Sequence, residues 1–161
     1  MDGTLCDVRS IRHHLEWNSA TCSKRNFHAF HSASIDCPPH PQVVALAREL
    51  SEAGVSIVIT TAREAKWSFH TALWLEELGI PYDAMLMREN GDYRPDVEAK
   101  RSLLSELLVR FTPVAALDDR DDVIGVWREG GVSTLKVTEG GEVERSALPA
   151  VLKSLLESSS R

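Results

Sequence analysis

The chain has 161 residues, 43% hydrophobic and 26% charged, which falls in the range of one globular domain with a buried core, and nothing in it suggests two. Its 24 acidic residues outweigh 18 basic ones for a net charge of −6, which excludes a broadly basic surface; any contact with nucleic acid must be local. Three cysteines without CxxC spacing (Cys6, Cys22, Cys37), and no apolar run of membrane-spanning or signal length, lead to the expectation of a thiol-state, cytoplasmic protein with no membrane attachment.

In chain order, MDGTLCDV is followed by a polar stretch containing histidines and aromatics that ends at Cys37-Pro38-Pro39. Residues 5–40 are therefore expected to form a loop-rich insert or flap. Trp17, Phe27 and Phe30 within it either pack the flap onto the body or stack on a nucleobase, and packing is the commoner use. His28 and His31 with Cys22 and Cys37 match no common zinc spacing, so ordinary flap side chains are expected there.

From Pro41 to Gly54 the apolar residues Val43, Val44, Ala47 and Leu50 recur at helical spacing, and Gly54 supplies the stop. Val55 to Thr60 is a β-branched run that reads as a buried parallel strand. Trp67, Thr71, Trp74, Leu75 and Leu78 line the next helical face, and Asp83 to Met87 follows as a short strand. A third helix opens after Pro95-Asp96 with the stripe Leu103, Leu104, Leu107 and Leu108, on which Lys100 also lies. Val114 to Leu117 is a strand, Asp121 to Glu129 a short helix with Val123, Ile124 and Trp127 inward, Val132 to Val137 a strand, and Leu148 to Leu156 a last helix before a frayed tail at 158–161. This alternation predicts an α/β chain, a Rossmann-like parallel sheet with helices on both faces, forming a single domain over 1–161. In such sheets ligands bind beyond the carboxyl ends of the strands.

Four polar clusters fall near those ends: residues 1–4, TTARE at 60–64, Lys100, and LDDRDD at 117–122. The pair Asp118-Asp119 serves equally well as a turn and cap or as a hard-oxygen site suited to Mg²⁺. Asp121 and Asp122 fall in the first turn of a helix, where their charge favours the dipole. Lys100 on an inward stripe either snorkels or reaches the crevice to neutralise a phosphoryl oxygen. Thr61 is a helix cap or a phosphate donor. Arg63, Lys66, Arg88 and Arg94 would make a local basic rim, with solvated surface charge as the default for each. Trp67, Trp74 and Trp127 sit on core stripes.

The order Asp-Gly-Thr-Leu, a strand ending in Thr-x-Arg-Glu, a lysine, then a strand ending in Asp-Asp-Arg resembles the four motifs of the HAD (haloacid dehalogenase-like) superfamily. ITTARE, LMRENGDYRPDVEAK and ALDDRDDVIGVWREGGV are further similar to the 3′-phosphatase domain of phage-type polynucleotide kinases, over about residues 1–138. The resemblance implies a HAD-like fold and Mg²⁺-dependent hydrolysis of a phosphate monoester through an aspartyl-phosphate, at a phosphorylated DNA or RNA end. Asp2 is then the general acid/base, Thr61 and Lys100 hold the phosphate, Asp118 and Asp119 bind the metal, and Arg63 and Arg88 face substrate. A kinase or ligase partner would be in keeping with that family. The family pattern DxDGT places its nucleophile two residues before Asp2, where this chain has none. The leading strand is absent from these residues too, which as written leaves the sheet without its central member and with two unpaired edges; either the chain reads on from an upstream strand into Asp-Met-Asp-Gly-Thr, or it is a shortened, inactive relative. The alternatives are a small-molecule nucleotide or sugar phosphatase, or a catalytically inactive module that binds phosphorylated ends or a protein. No P-loop is present, so kinase activity is not expected.

Overall fold

The computed structural model describes residues 1–16 and 25–159, so Trp17 and Cys22 lie outside the described residues. The flap contains a 3-10 turn (Arg9–His14), a two-turn helix α1 (Phe27–Ala33) and a second 3-10 turn (Ser34–Asp36). Asn26 caps α1 by accepting the Ala29 amide at 3.0 Å. Helix α2 (Pro41–Glu52) begins at a proline, whose missing N–H costs nothing in the first turn, and buries Val43, Val44, Leu46 and Leu50. It stops at Gly54, whose φ of 81° lets the Val55 amide turn back onto the Leu50 carbonyl at 2.9 Å.

Strand β1 spans Val58–Glu64 rather than the expected Val55–Thr60. Its entry is fixed by Asp83, which accepts the Ile57 amide at 2.7 Å and returns its own amide to the Ile57 carbonyl at 2.7 Å. Beyond Thr60 the polar run stays in the sheet, so Thr61 belongs to the strand and is not a helix cap. β1 pairs in parallel with β2 (Ala84–Arg88), and the register slips between Thr61 and Glu64. Burial alternates regularly along β1, so Arg63 turns inward with Ile59 and Thr61.

The helix between them, α3 (Ser68–Glu77), buries Thr71, Trp74 and Leu75. Trp67 was expected on its core stripe but sits in the 3-10 turn Ala65–Trp67, half-buried against flap histidines, because the helix proper starts one residue later.

Helix α4 (Asp96–Arg110) turns Ala99, Lys100, Leu103, Leu104 and Leu107 inward. Leu108, expected on that stripe, is 48% exposed, since the inward arc is already filled by its neighbours. β3 (Ala115–Asp118), α5 (Asp121–Glu129) and β4 (Ser133–Lys136) form a second crossover with parallel pairing. α6 (Ala150–Ser159) follows; Ser158, expected in a frayed tail, is helical and donates its hydroxyl to the Ser154 carbonyl at 2.8 Å.

The fold is α/β with short parallel sheets and helices on both sides, as the alternation of elements led one to expect. One core packs α4 and α5 on the strands through Leu103, Leu104, Leu107, Val123, Val126 and Trp127. The other packs α2, α3, α6 and the flap through Val44, Leu46, Ile59, Trp74, Leu75 and Leu152. None of the described helices is long and apolar enough to cross a membrane.

The strands do not form one continuous sheet. They make two parallel pairs, β1-β2 and β3-β4, and among the described residues no strand joins β1 to β3. Between them lies a slot of about 450 Å³ walled by Val58–Thr60 of β1 and Ala115–Leu117 of β3, with Met1 and Thr4 at one part of its lining. The two unpaired edges expected from the sequence are therefore present.

Trp74 ties flap to body: it is 2% exposed and donates its indole N–H to the Cys37 carbonyl at 2.9 Å. Trp74→Ala is expected to cost about 3–5 kcal/mol in urea unfolding, as for other buried aromatic truncations. A loss under about 1 kcal/mol would contradict this packing, whose energy comes from filling a closed site.

Candidate active site

The carboxyl ends of β1 and β3 open onto one crevice of about 920 Å³. Asp2, Thr61, Arg63, Arg88, Lys100, Asp118 and Asp119 all line it, as does Arg94, whereas Lys66 does not.

Lys100 is buried at 7% exposure and does not snorkel. Its ammonium donates to the Thr60 carbonyl of β1 at 3.1 Å and lies 3.5 Å from the Asp118 carboxylate of β3. It also sits over the Trp127 ring, 5.3 Å from the centroid, an arrangement that favours a cation. Asp118 ends β3 and is satisfied on both oxygens: the Trp127 indole N–H reaches Oδ2 at 3.3 Å and the Arg120 amide reaches Oδ1 at 3.3 Å. Trp127, expected to serve the core alone, thus also orients the site carboxylate.

Asp119 accepts the Thr4 hydroxyl at 2.8 Å. Its carboxylate lies against Gly3, where an added Cβ would meet Oδ2 at 2.3 Å, and Gly3 holds φ at +78°. Glycine is required there twice over, by the backbone conformation and by the carboxylate pressed against it.

Asp2 does not point freely into the crevice. Arg63 Nε donates to its Oδ2 at 2.9 Å and Arg63 Nη2 bonds Oδ1, while Nη1 donates to Thr71 at 3.2 Å. Burial raises the Asp2 carboxyl, but the Arg63 guanidinium more than offsets it and holds the group below its ordinary value of 3.8. Arg63 was expected to face substrate; it lines the crevice with its guanidinium bonded to Asp2. Thr61 is buried, and its hydroxyl oxygen accepts the Arg63 amide at 3.2 Å, which leaves the hydroxyl proton to donate elsewhere.

Arg88, also expected to face substrate, is paired with Asp96 at 2.5 Å, and Asp96 in turn accepts Arg120 at 2.7 Å. Arg94 pairs with Asp92 at 2.8 Å and Lys66 with Glu64 at 2.6 Å. These rim cations are partly neutralised by neighbours. Thr4, Asp96 and Arg120 were not recognised from the sequence; Asp96 stands one helical turn before Lys100, the available signal. Asp121 and Asp122 stay outside the site, paired with Lys136 and Arg120 in the first turn of α5.

Asp118 and Asp119 fit Mg²⁺ as a donor set. The ion commonly takes one or two carboxylates and completes its shell with water and phosphate oxygens. Among the described residues there is no group of three or more His, Cys, Asp or Glu that could hold a metal ion, and Cys6 and Cys37 are buried thiols.

Removing Asp2 leaves the Arg63 guanidinium, with a side chain 1% exposed, without its carboxylate. Asp2→Asn is therefore expected to lower stability by about 3 kcal/mol at neutral pH. Because the folded carboxyl is depressed, this contribution is complete above the unfolded value of 3.8 and fades as pH falls through the lower folded one. In denaturant titrations of both proteins from about pH 7 to about pH 2.5 the gap should narrow toward the acid end. A gap that persists unchanged there would contradict the ion-pair account.

A family model described as the polynucleotide kinase PNKP phosphatase domain matches residues 18–141. The matched span holds TTARE, Lys100 and LDDRDD; DGTL precedes it. Two solved structures are similar in fold. "Structure of the Pnkp1/Rnl/Hen1 RNA repair complex" matches with a TM-score of 0.71 at 24% identity, over 86% of this chain and 40% of that one. "Structure of Pnkp1/Rnl/Hen1 complex" matches with a TM-score of 0.68 at 24% identity, over 86% of this chain and 43% of that one. The chain thus spans about two-fifths of the length of these relatives. With the family model covering about three-quarters of it, the chain belongs to the HAD-type phosphatase-domain family of polynucleotide kinase PNKP.

Proposed function

We propose that this crevice hydrolyses a phosphate monoester at a polynucleotide end, a 3′-phosphate above all, with Mg²⁺. The observation that carries the reading is convergence: Asp2, Thr61, Lys100 and Asp118-Asp119 come from four separate segments and meet at the carboxyl ends of β1 and β3. Lys100 and the Thr61 hydroxyl would donate to equatorial phosphoryl oxygens, where negative charge must be stabilised in the transition state. Asp118 and Asp119 would hold Mg²⁺, which when bound supplies Lewis-acid charge to a phosphoryl oxygen.

Asp2 is the proton carrier in this reading. Held ionised by Arg63 in the free protein, it would take a proton from solvent as the incoming phosphoryl group competes for the guanidinium, give that proton to the leaving hydroxyl, and then take one from the water that hydrolyses the aspartyl-phosphate. The attacking carboxylate would stand two residues before Asp2, at the end of a strand seated in the slot between β1 and β3. That strand would pair with both exposed edges and close the sheet, and the carboxylate would form the aspartyl-phosphate. The RNA repair complex named for one structural neighbour favours an RNA end, and the Pnkp1/Rnl/Hen1 assembly named for both supports a setting with kinase or ligase activity close by.

The firm Asp2–Arg63 pair favours a second reading, a module that binds phosphorylated ends without turnover. The two are separated by Mg²⁺-dependent phosphate release from a 3′-phosphorylated oligonucleotide. The assay compares the 161-residue chain with one extended to place a strand and an aspartate ahead of Asp2. Only the extended protein is expected to turn over, and Lys100→Ala or Asp118→Ala should each lower its rate by about 10²–10³-fold. An extended protein that folds yet releases phosphate from neither this end nor a small nucleotide or sugar ester leaves the binding module as the better account.

A further inference from the structure

Beyond the phosphate-holding groups the crevice is far larger than one phosphoryl group needs. Its volume of about 920 Å³ lies at the upper end of small-molecule sites. Two large rings on its lining are left in solvent: Phe27 on α1 is 52% exposed, and Tyr93, between β2 and α4, is 88% exposed. Phe69 is also exposed, at 80%, but does not line the crevice.

Phe27 is held from behind. His31, one helical turn on, lies 6.3 Å from it between ring centroids, and Trp67 lies 5.4 Å from His31. His28 and His70 flank Trp67 at 5.2 and 5.5 Å. Burial lowers the His31 imidazole to about 4, so at neutral pH it packs as an uncharged ring. An exposed phenylalanine backed by this array is fixed in place before any ligand arrives, which reduces the ordering cost of stacking on it.

We propose that Phe27 and Tyr93 form a stacking rim for unpaired nucleobases beside the terminal phosphate, so that the crevice takes single-stranded polynucleotide ends. Every base offers a π-face, so this recognition is sequence-tolerant. It also suits an acidic protein, because stacking supplies affinity that a basic surface would otherwise have to provide. The inference rests on the phosphatase reading for the position of the phosphate and adds the class of substrate that surrounds it.

The test uses the intact polypeptide carrying this chain and a single-stranded RNA oligonucleotide with 2-aminopurine next to its 3′-phosphate. Stacking is expected to quench the fluorescence on binding. Phe27→Ala and Tyr93→Ala should each weaken oligonucleotide affinity roughly tenfold and reduce the quench, and Tyr93→Phe should restore both. The ratio of kcat/KM for the oligonucleotide to that for glycerol phosphate should fall by the same factor. Tyr93, with almost no buried surface to lose, decides the matter if Phe27→Ala loosens the flap. Affinity within twofold of wild type in both alanine variants overturns the rim, as does an equal loss of affinity for inorganic phosphate. A ring-dependent quench without phosphate release keeps the rim and removes the phosphatase reading; release without ring dependence does the reverse.

Discussion

The arrangement depends on one buried cation. Lys100 reaches from α4 to the Thr60 carbonyl of the β1-β2 pair and to the Asp118 carboxylate of the β3-β4 pair, so one ammonium joins the two half-sheets at their carboxyl ends. An ammonium this deep survives only with partners, and the Trp127 face supplies a third. The same contacts hold the charge where a phosphoryl group would arrive. The residue that reconciles the two halves of the fold is thus the residue that gives the crevice its fixed positive charge.

A second constraint is the buried row of β1. Its side chains alternate regularly, with Ile59, Thr61 and Arg63 turned inward, and Arg63 bonds Asp2 and Thr71 together. Gly3 then lets the chain pass close enough for Thr4 to reach Asp119. The charged groups at the crevice are mostly spoken for by neighbours, which is how a protein of net charge −6 keeps several cations at one mouth without a basic surface.

Much of this was legible in the residues. The helical stripes of α2, α4 and α5 and the apolar run of β4 located the layers, because burial imposes their periods. The four polar clusters located the crevice, because an open parallel sheet exposes its strand ends on one side. Other features were not legible. The extension of β1 through TTARE is set by pairing with β2, which no local pattern records. The grip of Arg63 on Asp2 and of Arg88 on Asp96 is a long-range pairing that a list of arginines cannot distinguish from a free basic rim. Trp127 looked like core and is core, but its indole N–H found the one buried carboxylate within reach. The slot between β1 and β3 could be anticipated, since a missing strand leaves two edges whatever the side chains do.

The most direct test of the account is whether Mg²⁺ and phosphate bind to this crevice as one coupled pair. Isothermal titration of inorganic phosphate, with and without Mg²⁺, measures it on wild type, Lys100→Met and Asp119→Asn. The account predicts that Mg²⁺ tightens phosphate binding about tenfold or more in wild type. It predicts that Asp119→Asn abolishes the coupling and Lys100→Met weakens phosphate in both conditions. Phosphate affinity indifferent to Mg²⁺ in the wild-type protein, or unchanged by either substitution, would contradict it.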